Sequence, residues 1–205
     1  MAVPTTFSSR GVERVHAERA ATIDLEHGWP TGHDLLGGGP GPLWDVQAPL
    51  DAPVSLTVIG PDGRLRLEVT TVRLLVGRDD RLDVVGAMRS FDDADAAADE
   101  LIRLAGELGL PTNRVDPTVR RLREEPVDSR SRFSINGGEA LGVRAGVTVH
   151  RLPARHQVPA LTVLECAITR TDPVDDDGDA GRGEARPQDG APDGSARAGS
   201  PWMRL

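Results

Sequence analysis

Val54, Leu56 and Val58 alternate with Ser55 and Thr57, the two-residue period of a strand with one buried face. Pro61-Asp62-Gly63 then turns the chain into RLRLEVTTVRLLV, where Leu65, Leu67 and Val69 share one parity and Val72, Leu74 and Val76 the other. A parity switch of this kind requires a bulge or bend, which the pattern places near Thr70 and Thr71. A second turn at Arg78-Asp79-Asp80 leads into RLDVVGAM, so three successive antiparallel strands form a meander.

The period then changes. Ala94, Ala97, Ala98, Leu101, Ala105 and Leu108 recur at three- and four-residue spacing, which predicts an amphipathic helix. Ser90 with Asp93 three residues on offers the N-cap, and Gly109 followed by Pro111 stops the helix. Asp116 before Pro117 predicts the start of a second, shorter helix, which Pro126 ends. Beyond it RFSIN, VTVHRL and VPALTVLECAIT are β-rich runs separated by Gly137-Gly138 and other turn residues. The last run is apolar on both parities, as a central strand requires. These elements predict an α+β fold: an antiparallel sheet of five or six strands with a helical pair packed on one face.

Both ends carry weaker patterns. Val12, Val15 and Arg19 permit one or two helical turns, and Gly37 to Pro42 deny the backbone regular structure, so residues 1–42 are expected to be a flexible segment ending in a Gly/Pro-rich linker. The folded domain is expected to span 43–170. From Thr171 onward Asp, Gly, Pro, Arg and Ala dominate, and residues 171–205 are expected to be a disordered acidic tail. Disordered ends would account for an apolar content of 38%, against about 45–50% in globular chains.

Charge and residue usage remove several functions. All 24 basic residues are Arg, so Schiff-base and pyridoxal chemistry, the P-loop lysine, the kinase ion pair and the Ser-Lys dyad lack their amine. The net charge of -8 is spread as about -2, -2 and -4 over the three segments. A near-neutral domain is a poor general nucleic-acid binder, because affinity for phosphate comes from clustered cations. One cysteine allows neither an intramolecular disulfide nor a Cys-rich zinc site. The N-terminus lacks a signal-peptide pattern and no run reaches the roughly 20 apolar residues of a membrane span. A cytoplasmic location without membrane insertion is therefore expected, provided the N-terminus is complete.

His150, Glu165 and Cys166 lie on late strands, and a thiol beside a carboxylate-held imidazole is the arrangement of a cysteine nucleophile. Residues 165 and 166 point to opposite faces of a strand, so Glu165 and Cys166 cannot both face His150 without a bulge. A buried, inert Cys166 is the plainer expectation. His27, His33 and Asp34 stand in a Gly/Pro-rich loop where imidazole and carboxylate can take a divalent metal, although solvent-exposed loop histidines are commoner. PVDDDGDAGRGE resembles a calcium loop in spacing, with Asp175, Asp177, Asp179 and Glu184 at ligand positions but Pro173 at the first. Arg120, Arg121 and Arg123 on the short helix present planar donors suited to carboxylate or phosphate. Arg121 shares a face with Glu125, which singles out Arg120 and Arg123 as the anion-binding candidates. Together these features favour a non-catalytic binding or accessory protein whose partner is another protein or a small anionic ligand, with no cofactor. A hydrolase-like enzyme using His150 with Cys166 or Glu165 is the alternative.

Overall fold

The computed structural model describes residues 4–37, 44–126, 130–154 and 159–170, with the backbone alone for 44–51. In chain order the elements are α1 (Ser9–Glu18), β1 (Ala20–Asp24), α2 (Gly32–Leu36), β2 (Trp44–Gly60), β3 (Gly63–Val76), β4 (Leu82–Phe91), α3 (Ala94–Leu108), α4 (Thr112–Glu124), β5 (Ser131–Ala140), β6 (Val143–Leu152) and β7 (Leu161–Thr169). The seven strands form one sheet in the order β1-β2-β3-β4-β7-β6-β5. The α+β class and the helical pair are as expected. The sheet, however, is mixed rather than purely antiparallel, because β1 adds to β2 in parallel, with Ala21 opposite Leu56 and Ile23 opposite Val58.

That seventh strand changes the reading of the N-terminal segment. Residues 9–36 carry α1, β1 and α2, and Phe7, Val15, Ala21, Ile23, Leu25 and Leu35 are buried in the common core. The alternation Ala21, Ile23, Leu25 is a strand signal only five residues long. Helix α1 closes at Arg19, a non-glycine residue in the left-handed region (φ 53°), so no punctuating glycine marks the boundary. Ser8 supplies the opposite cap by accepting from the Gly11 amide at 3.3 Å. The tail expected over 171–205 and its calcium-like spacing lie outside the described residues, as does most of the glycine run after Gly37.

The meander forms as the pattern requires. Gly60 faces Gly63 across the β2–β3 turn, and Thr70 and Thr71 are both half-buried between the two parity classes of β3. The β2 register shifts at the same level, between Pro49 opposite Thr71 and Val54 opposite Val69. The bend keeps Leu65, Leu67 and Val69 in one core with Val72 and Leu74, and Val76 is buried beyond them at the end of the strand.

Helix α3 begins three residues later than Ser90 suggests. Ser90 pairs with Val163 in the β4–β7 ladder and Phe91 is buried, so the strand runs on and Asp93 is the N-cap, accepting from the Asp95 amide at 3.0 Å. Helix α4 begins earlier than Pro117, at Thr112, with Pro117 inside it. Val115, Val119 and Leu122 bury one stripe, and that packing outweighs the single hydrogen bond that proline withholds. Arg123 fastens α4 to α3 through Asp99 (2.6 Å) and Asp95 (3.7 Å).

The tips of two distant hairpins meet. Leu141, in the β5–β6 turn with φ 61°, accepts at 3.4 Å from the Asp62 amide in the β2–β3 turn. Diagonal corners of a flat sheet cannot touch, so the sheet coils, with its apolar face turned toward the helices. Among the described residues no helix is long and apolar enough to cross a membrane.

Candidate functional site: the open face of the sheet

Among the described residues, helices cover one face of the sheet and none lies on the other. The second face takes the alternate positions of every strand: Arg64, Arg66 and Glu68 on β3, then Arg73 past the bend, with Arg132 on β5, Arg144 and His150 on β6, and Glu165 on β7. Among the described residues five arginines stand against four carboxylates, with Asp24 on β1 and Glu139 on β5 beside Glu68 and Glu165, and make this face cationic in a chain of net charge -8. Of these, Arg64, Arg132 and Arg144 make no ion pair with any described residue.

At its centre Glu165 gathers two basic groups from different strands. His150 Nε2 lies 3.1 Å from Glu165 Oε2, and Arg73 Nη1 lies 3.5 Å from Glu165 Oε1. The register explains the reach of Arg73 across β4. Its cross-strand partner there is Gly86, where an added Cβ would stand 3.1 Å from the Arg73 Cβ, so the arginine stem lies over a position without a side chain. The hydrogen bond from His150 holds the Glu165 carboxyl below its ordinary pKa, partial burial opposes that shift, and the charges of His150, Arg73 and Arg132 reinforce it.

A depressed carboxyl pKa stabilises the fold wherever the unfolded chain would bind the proton more readily. The contribution of Glu165 is therefore fully present above the ordinary glutamate value of 4.5 and is lost as pH falls through the lower, folded value. Glu165→Gln is expected to lower stability by about 1–2 kcal/mol at pH 7. The gap to wild type should narrow between pH 5 and pH 3 in thermal melts, and a gap independent of pH would remove the ion pairs from the account.

Cys166 stands apart from this cluster. It faces the helices opposite Ala87 and Val147, is 2% exposed, and burial pushes its thiol up to about 12. His150 and Glu165 thus meet as the sequence permits, while Cys166 lies on the other side of the sheet as a neutral thiol without a thiolate's nucleophilicity.

The metal candidates separate as well. Thr31 caps α2 by accepting from the Asp34 amide at 3.1 Å, the Asp34 carboxylate accepts from the Thr31 hydroxyl at 2.8 Å, and His33 is exposed on the same short helix. His27 instead gathers with Asp24 and Glu26 at the end of β1, with ligand atoms within 4.8 Å of one another. Three such groups on an exposed turn, without supporting hydrogen bonds to orient the imidazole, do not define a coordination sphere, and we assign no metal there.

On α4, Arg121 is taken up by Glu125 (3.0 Å) and stacks on Phe133 (4.7 Å), and Arg123 is engaged by α3. Arg120 is exposed and makes no ion pair with a described residue, beside a shallow depression of about 210 Å³ that Arg121 and Glu124 also line. The neighbours Arg73 and Arg132 of the Glu165 cluster are not among the sequence candidates. Strand parity places them outward, but only the pairing register shows that they flank the same carboxylate. In comparisons of the chain with protein-family models, curated proteins and solved structures, none matches.

Proposed function

We propose that the protein is a non-catalytic binding or accessory protein that takes an acidic segment of a protein partner on the open face of its sheet. The observation that carries this reading is the concentration of arginine on the uncovered face of an otherwise acidic chain, with Arg64, Arg132 and Arg144 lacking counter-ions among the described residues. Guanidinium groups match carboxylates with paired donors, and an uncovered sheet face offers a broad surface instead of an enclosed cleft. The wider alternative of a small anionic ligand draws on the same arginines.

A fluorescent polyglutamate peptide at low ionic strength tests the proposal by anisotropy. Wild type is expected to bind it with an affinity that falls as salt rises. Arg64→Gln with Arg132→Gln should weaken binding about tenfold. The pair Arg120→Gln and Arg123→Gln is the control on α4. If that second pair abolishes binding and the first leaves it unchanged, recognition belongs to α4 and the open-face reading fails.

The enzymatic reading retains one specific support, an imidazole held by a carboxylate at 3.1 Å on an accessible surface. Such a pair can move a proton, yet no hydroxyl or thiol among the described residues hydrogen-bonds to His150, so the pair has no nucleophile to activate. Binding therefore takes precedence.

A further inference from the structure

We propose that a hollow at the β5–β6 end of the open face binds a small zwitterion of the α-amino-acid type. The hollow measures about 340 Å³ and is lined by residues that include Asn136, Glu139, Arg144, Gly146, Ala167 and Thr169. Such a volume suits a small molecule. It exists because the pairing register sets Gly146 beside Ala167 and opposite Asn136, so the floor is backbone and one methyl group. A Cβ at position 146 would come within 2.8 Å of Asn136 Oδ1, so the asparagine amide leans over the glycine at the rim.

The charges on the wall determine the ligand class. Glu139 and Arg144 are directly opposite in the β5–β6 register, both exposed, yet they form no ion pair with each other or with any other described residue. A simple anion would gain Arg144 and be repelled by Glu139, and a simple amine would meet the reverse. A molecule with carboxylate and ammonium on one carbon satisfies both, with the Asn136 amide available to either group. The floor of glycine and alanine suits a short apolar side chain. This site shares Arg144 with the arginine face but is distinguished from polyglutamate binding by Glu139, because its ligand carries no net charge and its affinity depends on that acidic residue.

The test is titration of the full-length, ¹⁵N-labelled chain with L-valine, followed by amide chemical shifts. The two halves of that molecule, 3-methylbutanoate without the amine and 2-methylpropylamine without the carboxylate, are titrated in parallel. Valine should shift the amides of residues 136–139 and 144–146 and bind about tenfold more tightly than either half. Glu139→Gln and Arg144→Gln should each weaken valine about tenfold, while the charge exchange Glu139→Arg with Arg144→Glu should preserve binding. Valine leaving these amides unmoved, either half binding as well as valine, or Glu139→Gln binding normally would overturn the proposal. Polyglutamate binding is read separately, so either inference can fail alone.

Discussion

Arg151→Ala is expected to cost about 3 kcal/mol, the largest loss from any single polar side chain in the described structure. Arg151 projects from β6 onto the apolar face and is 3% exposed. Its Nη2 donates to the carbonyl of Glu125 and its Nη1 to the carbonyl of Arg121 at 3.5 Å, so the guanidinium caps the last turn of α4. A cation at that end also complements the helix dipole. The Glu125 carboxylate is 3.9 Å away and half exposed, so the carbonyls are the closer partners. Truncation takes the side-chain donor from the Glu125 carbonyl, leaves the Arg121 carbonyl with the Glu125 amide alone, and opens a cavity under the end of the helix. Arg151→Met fills most of that space and avoids desolvating a charge, and Arg151 Nε itself has no hydrogen-bond partner among the described residues, so this change should recover at least half of the loss. Chemical denaturation of the three proteins checks the order. Equal stability of wild type and Arg151→Ala would show that α4 needs no anchor from the sheet.

Gly138→Ala is the second large effect, and Gly106→Ala should move stability the other way. At Gly138 an added Cβ would stand 2.4 Å from the Leu108 carbonyl oxygen and 2.7 Å from Leu110 Cδ2. The first of these is backbone at the C-terminus of α3, so the helix end or edge strand β5 must shift, at a cost of about 2–3 kcal/mol. Gly106 lies within α3, exposed, and a Cβ added there would have nothing within 4 Å. Alanine there should add about 0.5–1 kcal/mol through helix propensity and a less flexible unfolded chain. Thermal melts of both variants give opposite signs if α3 and β5 pack as described. A neutral Gly138→Ala would mean that the α3–β5 contact is loose.

The strands of the meander, the bend at Thr70 and Thr71, helix α3 with its stop at Gly109, and the end of α4 before Pro126 all follow from local pattern. Each depends on residues close in the chain: alternation, an apolar stripe, or a glycine that accepts the left-handed region. The separation of Cys166 from Glu165 follows from strand parity alone. Other features depended on partners far along the chain. Ala21, Ile23 and Leu25 become a strand because β2 offers an edge to pair with, and Ser90 becomes a strand residue because Val163 lies opposite it. The tertiary register likewise brought Arg73, His150 and Glu165 together from three strands, placed His27 with Asp24 and Glu26 instead of with His33 and Asp34, and took up Arg123 in bonds to Asp95 and Asp99. Side-chain alternation tells which face a residue occupies. Which neighbours it meets there depends on strand order and register, which are set by burial of the whole apolar face.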